Sequence, residues 1–292
     1  MRTVPAAVLT LAMTAATPTL AQDATDIFLA ELRSDGGRTQ VSTPVNVTAR
    51  PGYDNQPWFL PDGSGFLYVA AVDGQMDVFR HDFAAARSTR LTRTADNEFS
   101  PSLPGDGSRM LVVRWSADMA AGALWWYTPA GEPIGEATGS VPRVGYYTLA
   151  DATTLALFIN DDTQSFVLAD MQSGASERIG ERLGGSAPRT IGPGAVSFLR
   201  QDDGGAWWLS RLDVASREVT PLVRMPEGVV NYTWHRGSVL AAQGGTLQQW
   251  TPGSDRWQAL ATFEDPALQQ ISRIAVSPAG DRIALVAAEP KQ

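Results

Sequence analysis

The sequence predicts an all-β fold: a six-bladed β-propeller of four-stranded antiparallel blades, with the last blade closed by N-terminal strands. Three observations carry this reading. A turn marker recurs at Gly63, Gly107, Ala152, Gly194, Gly237 and Gly280, at intervals of 44, 45, 42, 43 and 43 residues. A period of about 40–45 residues with several short strands per unit is that of a propeller blade. Every marker is followed by an apolar strand, and the strand count falls short only at the two ends of the chain, in complementary ways.

Taken in order, residues 1–21 form a separate object. Arg2 supplies a positive start, residues 6–13 (AAVLTLAM) an apolar core, and Thr19-Leu20-Ala21 the small residues that precede a cleavage point before Gln22. The apolar run is shorter than the ~20 residues that span a bilayer. The expected mature protein is therefore exported, periplasmic or secreted, with a single propeller domain over residues 22–292. Two strands follow, 26–32 (DIFLAEL) and 44–48 (PVNVT), that belong to no complete unit.

The first full unit is GYDNQPWFLPDGSGFLYVAA, residues 52–71. It reads as an entry loop at 53–56, an inner strand around Pro57-Trp58-Phe59, a tight turn at Pro61-Asp62-Gly63-Ser64 and a second strand at 66–70. Corresponding second strands are expected at 110–115, 155–159, 196–199, 239–242 and 283–287. Third strands are expected at 76–83, 123–127, 165–171, 206–214 and 246–250. More polar outer strands are expected at 89–92, 133–137, 176–179, 218–223 and 257–262. Asp73-Gly74, Gly204-Gly205 and Gly244-Gly245 suit the hairpin turns these strands need. Trp125-Trp126 and Trp207-Trp208 place bulk on both faces of a strand, which a blade packed between two neighbours buries as inter-blade core. The sixth repeat owns only 274–276 and 283–287, so the strands at 26–32 and 44–48 complete it and close the ring, leaving no long unpaired edge.

Composition narrows the function classes. The chain contains no cysteine, which removes disulfides, thiolate metal sites and cysteine nucleophiles together. A formal charge of −8 opposes binding to a phosphate backbone, so no nucleic-acid partner is expected. His81 and His235 are the only imidazoles, and they fall on different blades. There is no G-x-S-x-G elbow, no H-E-x-x-H and no phosphate-binding glycine loop.

The blocks YDNQPWFLPDGSGFLYVA, DNEFSPSLPGDGSRMLVV and ISRIAVSPAGDRIALVA resemble the TolB-type WD-like repeat. Asp54, Pro57 and Pro61-Asp62-Gly63 match its pattern, as do Asp96, Pro101 and Gly105-Asp106-Gly107. Ser277-Pro278-Ala279-Gly280 matches with alanine for aspartate. The resemblance implies turn-forming roles for Asp62 and Asp106. It also implies an exported bacterial member without the extra N-terminal domain that TolB carries.

In a four-stranded blade the entry loops gather at one channel mouth. That places Asp54, Asn55, Gln56, Asp96, Asn97, Glu98, Tyr146, Arg189, Asn231, Tyr232 and Arg273 as a candidate binding ring, with no catalytic residue assigned. The leading reading is a non-enzymatic scaffold, monomeric and not membrane-spanning, that binds an envelope or periplasmic protein or a small polar ligand. The alternative is a Ca²⁺-dependent lactonase-like hydrolase, for which Asp54, Asn55, Asp96, Asn97, Glu98 and Asn231 supply oxygen ligands. Export makes a direct prediction: the protein recovered from a periplasmic fraction begins at Gln22, as read by intact mass, and a full-length mass there removes the leader assignment.

Overall fold

The turn that marks each repeat is built by its own side chains. Asp62 Oδ1 accepts hydrogen bonds from Ser64 N at 2.9 Å and Ser64 Oγ at 2.7 Å, while Gly63 takes the left-handed φ of 71° that a side chain would resist. Asp106, Gly107 (φ 74°) and Ser108 repeat the arrangement. Each such turn joins an inner strand to a second strand, and two further hairpins complete a four-stranded antiparallel sheet.

A computed structural model describes residues 23–35, 38–139 and 141–288, so the predicted leader lies outside the described residues. It is a six-bladed β-propeller. Blade one contains Asp54–Phe59, Gly65–Val72, Gln75–Asp82 and Arg87–Arg90, and blade two Asn97–Ser102, Met110–Trp115, Gly122–Tyr127 and Pro133–Glu136. Blade three holds Val144–Leu149, Thr154–Ile159, Phe166–Asp170 and Ser176–Gly180. Blade four holds Arg189–Gly192, Ala195–Gln201, Trp207–Asp213 and Val219–Arg224. Blade five holds Tyr232–His235, Ser238–Gln243, Thr246–Trp250 and Gln258–Thr262. The only helical element among the described residues is the short 3-10 turn Pro266–Leu268 before blade six.

The core is a set of seams between blades. Second strands are apolar on both faces because each face meets a neighbour; Phe66, Leu67, Tyr68, Val69 and Ala70 are all buried. Ala156, Phe158 and Phe166 of blade three pack on Val196 and Phe198 of blade four. Leu199 and Leu209 then meet Tyr232 and Val239 of blade five. Leu240 and Leu247 in turn meet Ile274, Ile283 and Leu285 of blade six.

Blade six is assembled from both ends of the chain. Ile271–Val276 and Arg282–Ala288 supply its inner half, and Thr25–Asp35 pairs antiparallel with the latter from Thr25↔Ala288 to Glu31↔Arg282. Ile27 of the N-terminal strand also enters the seam with Phe59, Phe66 and Tyr68 of blade one, beside Ala284 and Val286. The ring is therefore closed by hydrogen bonds within the last blade and by apolar contact between the last and the first.

Two details depart from expectation. The outer strand expected at 44–48 is only Val45–Asn46, paired with Phe28 and Leu29. A second outer piece, Arg38–Val41, pairs with the far end of Thr25–Asp35. The cause is length: the N-terminal strand has 11 residues against 7 in Arg282–Ala288, and its overhang needs its own partner. Pro44, without an N–H, separates the two pieces. The tryptophan pairs are only half buried. They sit toward the outer part of their blades, where Arg109 lies 4.3 Å over Trp126 and Arg114 lies 4.5 Å over Trp125. Trp125, Trp126 and Trp207 nevertheless pack against the cores between blades, as expected, with the guanidinium groups covering part of what stays exposed in blade two.

Deleting residues 23–48 leaves the apolar edge of Arg282–Ala288 without a partner. The expected outcome is loss of a cooperative thermal transition by circular dichroism; a truncated chain melting at the parent temperature contradicts the closure.

Candidate functional site

Each inner strand runs along the ring axis, and two of them are kinked by a bulge before a proline. Register shifts fall between Asn55 and Trp58 and between Phe99 and Ser102, with Gln56 at φ 58° and Ser100 at φ 48°. Pro57 and Pro101 occupy positions where a ladder N–H is not needed. The kink frees the Ser100 N–H, which donates to Gln56 Oε1 at 2.5 Å and ties blade two to blade one at the axis.

The inner strands enclose a cavity of about 360 Å³. Five of the six blades contribute: Gln56 and Trp58, Ser100 and Ser102, Tyr146 and Thr148, Arg189 and Thr190, and Arg273, with Pro57, Pro101 and Pro188 as apolar wall. Hydroxyl contacts knit this lining across blades. Tyr147 OH lies 2.7 Å from Ser102 Oγ and donates toward the Ser100 and Leu111 carbonyls at 3.0 and 2.9 Å. Thr148 Oγ1 lies 2.9 Å from Thr190 Oγ1, which also donates to the Leu149 carbonyl. Arg273 crosses the axis, donating from Nε to Asn55 Oδ1 at 2.9 Å and from Nη2 to Tyr146 OH at 3.0 Å.

Of the residues expected at the mouth, Gln56, Tyr146, Arg189 and Arg273 line this cavity, and Asn55 supports it through Arg273. The others are engaged elsewhere. Asp54 is fully buried and bonded to Arg50 at 2.6 Å. Asp96 pairs with Arg114 at 2.7 Å. Asn97 Oδ1 accepts the Met76 N–H, and Asn231 Oδ1 accepts the Ile274 N–H, so both amides are splints between neighbouring blades. Tyr232 OH is buried against Ser197 Oγ at 2.9 Å.

Ser100, Ser102, Thr148 and Thr190 were missed from the sequence. A signal existed: apart from the Thr148 and Thr190 hydroxyls, the polar lining groups fall five to seven residues before the turn marker of their repeat, as do Gln56, Ser100, Ser102, Tyr146, Arg189 and Arg273. Inner-strand register, more than entry-loop polarity, identifies the side chains facing the axis.

Of the oxygen ligands considered for Ca²⁺, Asp54 and Asp96 meet arginines, Asn55 meets Arg273, and Asn97 and Asn231 accept backbone N–H groups. Among the described residues no group of three or more His, Asp or Glu side chains is disposed to hold a metal ion. The cavity lining contains no carboxylate and two guanidinium groups. The imidazoles are also apart: His81 contacts Ser88 at 3.1 Å within blade one, and His235 ends the inner strand of blade five.

Glu98 sits in the seam between blades one and two. Its Oε1 accepts from the Thr94 hydroxyl and from Tyr127 OH at 3.2 Å, while Oε2 is buried without a partner. Burial, with a further push from Asp77, raises its pKa from an ordinary 4.5 to about 7.

No protein-family model matches the chain, and no curated protein matches it. Solved structures do. A candidate TolB from Agrobacterium tumefaciens aligns at 15% identity and TM-score 0.69, over 93% of this chain and 100% of that one. TolB from Acinetobacter baumannii aligns at 13% identity and TM-score 0.54, over 91% of this chain, which spans 65% of that structure's length. An oligogalacturonate lyase from Vibrio parahaemolyticus aligns at 13% identity and TM-score 0.51, over 91% and 98% of the two chains. These likenesses establish a TolB-like propeller fold, on which binding proteins and enzymes both occur.

Glu98 gives a pH prediction. Its raised folded-state pKa means that below about pH 4.5 it is protonated whether folded or not, and between there and about pH 7 only the folded state holds the proton. Its contribution to stability is therefore full at the acidic end and is lost as pH rises through 7, by at most about 3 kcal/mol. Denaturant titrations at pH 5 and pH 8 should show wild type losing more stability across that interval than Glu98→Gln; equal losses refute the assignment.

Proposed function

We propose that this chain is a non-enzymatic binding propeller of the bacterial envelope, which takes a segment of a protein partner or a small polar ligand into the cavity on its axis. The observation that carries the reading is the convergence of hydrogen-bonding side chains from five blades on one space of about 360 Å³. Pockets of this size with a few convergent polar groups and apolar walls are the usual form of a ligand site. What converges is suited to recognition: an amide, hydroxyls and guanidinium groups, backed by Trp58 and four prolines. No Asp, Glu or His side chain lines the cavity. The TolB-like fold supports the same reading, as does the leader-like start of the sequence for an envelope location. Among the described residues no helix is long and apolar enough to cross a membrane.

The reading is tested by filling the cavity. Ala187 lines it on blade four, and Ala187→Trp places an indole in the space a ligand would use. Tagged protein captured from cross-linked envelope fractions should lose its specifically enriched partners in this variant, while its melting temperature stays within a few degrees of wild type. Equal recovery of every partner by the two proteins would remove the channel from the binding function.

A further inference from the structure

The two arginines of the channel differ from the part-buried, acid-paired arginines of blades one and two. Arg50, Arg90 and Arg114 each meet a carboxylate, at 2.6, 2.6 and 2.7 Å from Asp54, Asp77 and Asp96. Arg273 instead bonds to Asn55 Oδ1 and Tyr146 OH, with its guanidinium 5.3 Å from the Tyr146 ring centroid. These partners are neutral. They orient the group and occupy two of its N–H directions while leaving its charge uncancelled. Arg189 has less: among the described residues its guanidinium makes no hydrogen bond or ion pair, and its Nε is buried without a partner.

Arg189 is part-buried: its Nε is shut off from water without a partner, at a cost to the fold, while its two Nη groups are left to the cavity. Burial and the nearby charge of Arg273 both pull the Arg189 pKa below its ordinary value, yet an arginine remains protonated under such pressure. The arrangement thus stores two positive charges beside one cavity whose lining holds no acid. A ligand that brings a negative group supplies the missing hydrogen-bond acceptor and the missing counter-charge together.

We propose that Arg189 and Arg273 form an anion subsite that receives a carboxylate of the channel ligand. The proposal rests on the channel being the binding site and adds the chemistry of what binds there. A planar guanidinium fork matches a planar carboxylate in a paired, two-bond geometry. Arg273 is already fixed in orientation by blades one and three, so little freedom is lost when it engages. Pro57, Trp58, Pro101 and Pro188 give the carbon skeleton behind that carboxylate an apolar wall to lie against. A peptide end and an acidic sugar both present this group, and the two are separated by the choice of probe.

Purified protein at low ionic strength is titrated calorimetrically, and followed by thermal melting, with trialanine as free acid and as C-terminal amide. The same is done with galacturonate against galactose and with inorganic phosphate. The expected result is at least a tenfold preference for the acid within one of the two pairs, and the pair that shows it identifies the source of the carboxylate. Arg189→Gln should abolish that preference while melting, without ligand, within a few degrees of the wild-type temperature, because no hydrogen bond or ion pair of the fold is lost with the guanidinium. Arg189→Lys keeps the charge without the fork and should retain part of the preference, which keeps the test decisive should the glutamine variant fold poorly. Equal affinity within both pairs, tighter binding of phosphate than of either acid, or an acid preference surviving in Arg189→Gln would each overturn the proposal. Capture of envelope partners by Arg189→Gln but not by Ala187→Trp would overturn the carboxylate subsite and leave the channel reading standing. Acid binding without any captured protein would support the subsite and narrow the channel's occupant to a small acid.

Discussion

Closure of the ring is the constraint on which the rest of this structure depends. A blade buries both faces only if it has a neighbour on each side, and the second strands are apolar on both faces throughout. An open ring would expose one such surface at each end, together with an unpaired strand edge. The chain avoids this by giving its N-terminal strand two tasks. Thr25–Asp35 completes the hydrogen-bond ladder of Arg282–Ala288 and sends Ile27 into the seam with blade one. Bringing the two ends together costs the entropy of closing a long loop, which grows only slowly with its length, and the ladder and the seam act together to offset it.

Closure also explains the polar residues at the axis. Inner strands converge there, their ladders end, and backbone groups of one blade lie opposite side chains of the next. Asn97 and Asn231 accept N–H groups of neighbouring blades, Gln56 accepts that of Ser100, and Tyr147 spans from blade three to blade two. A buried backbone N–H without a partner is expensive, so amides and hydroxyls at these positions serve the fold first. Much of the polarity that made the entry segments resemble a binding ring is this internal stitching.

That distinction marks where the sequence was legible. The repeat interval, the second strands and the two-ended sixth blade follow from local rules: a turn residue, an apolar run, a shortage of strands at both termini. The split outer strand of blade six did not follow, since it depends on how far one strand overhangs another. Half of the candidate site was visible as polar residue types near the inner strands. Their roles were not, because Asp54 and Tyr146 look equally available in sequence, and only the fold reveals that one is closed by Arg50 while the other faces the cavity. The bulges at Gln56 and Ser100 add to this, since a one-residue shift changes which side chains reach the axis.

The charge of the molecule and the charge of its channel have opposite signs. With a formal net charge of −8, the chain as a whole repels anions at long range. At physiological ionic strength that field decays over about 8 Å, so groups on the outer strands have little say inside the cavity. Within that shorter distance the relevant charges are Arg189 and Arg273, and the nearest acids are already committed: Asp54 to Arg50 and Asp96 to Arg114. Pairing Asp54, Asp77 and Asp96 with arginines of their own therefore does more than neutralise those acids. It removes from the channel the carboxylates that would otherwise have neutralised it, so that ion pairs made within blades one and two leave the axis positively charged.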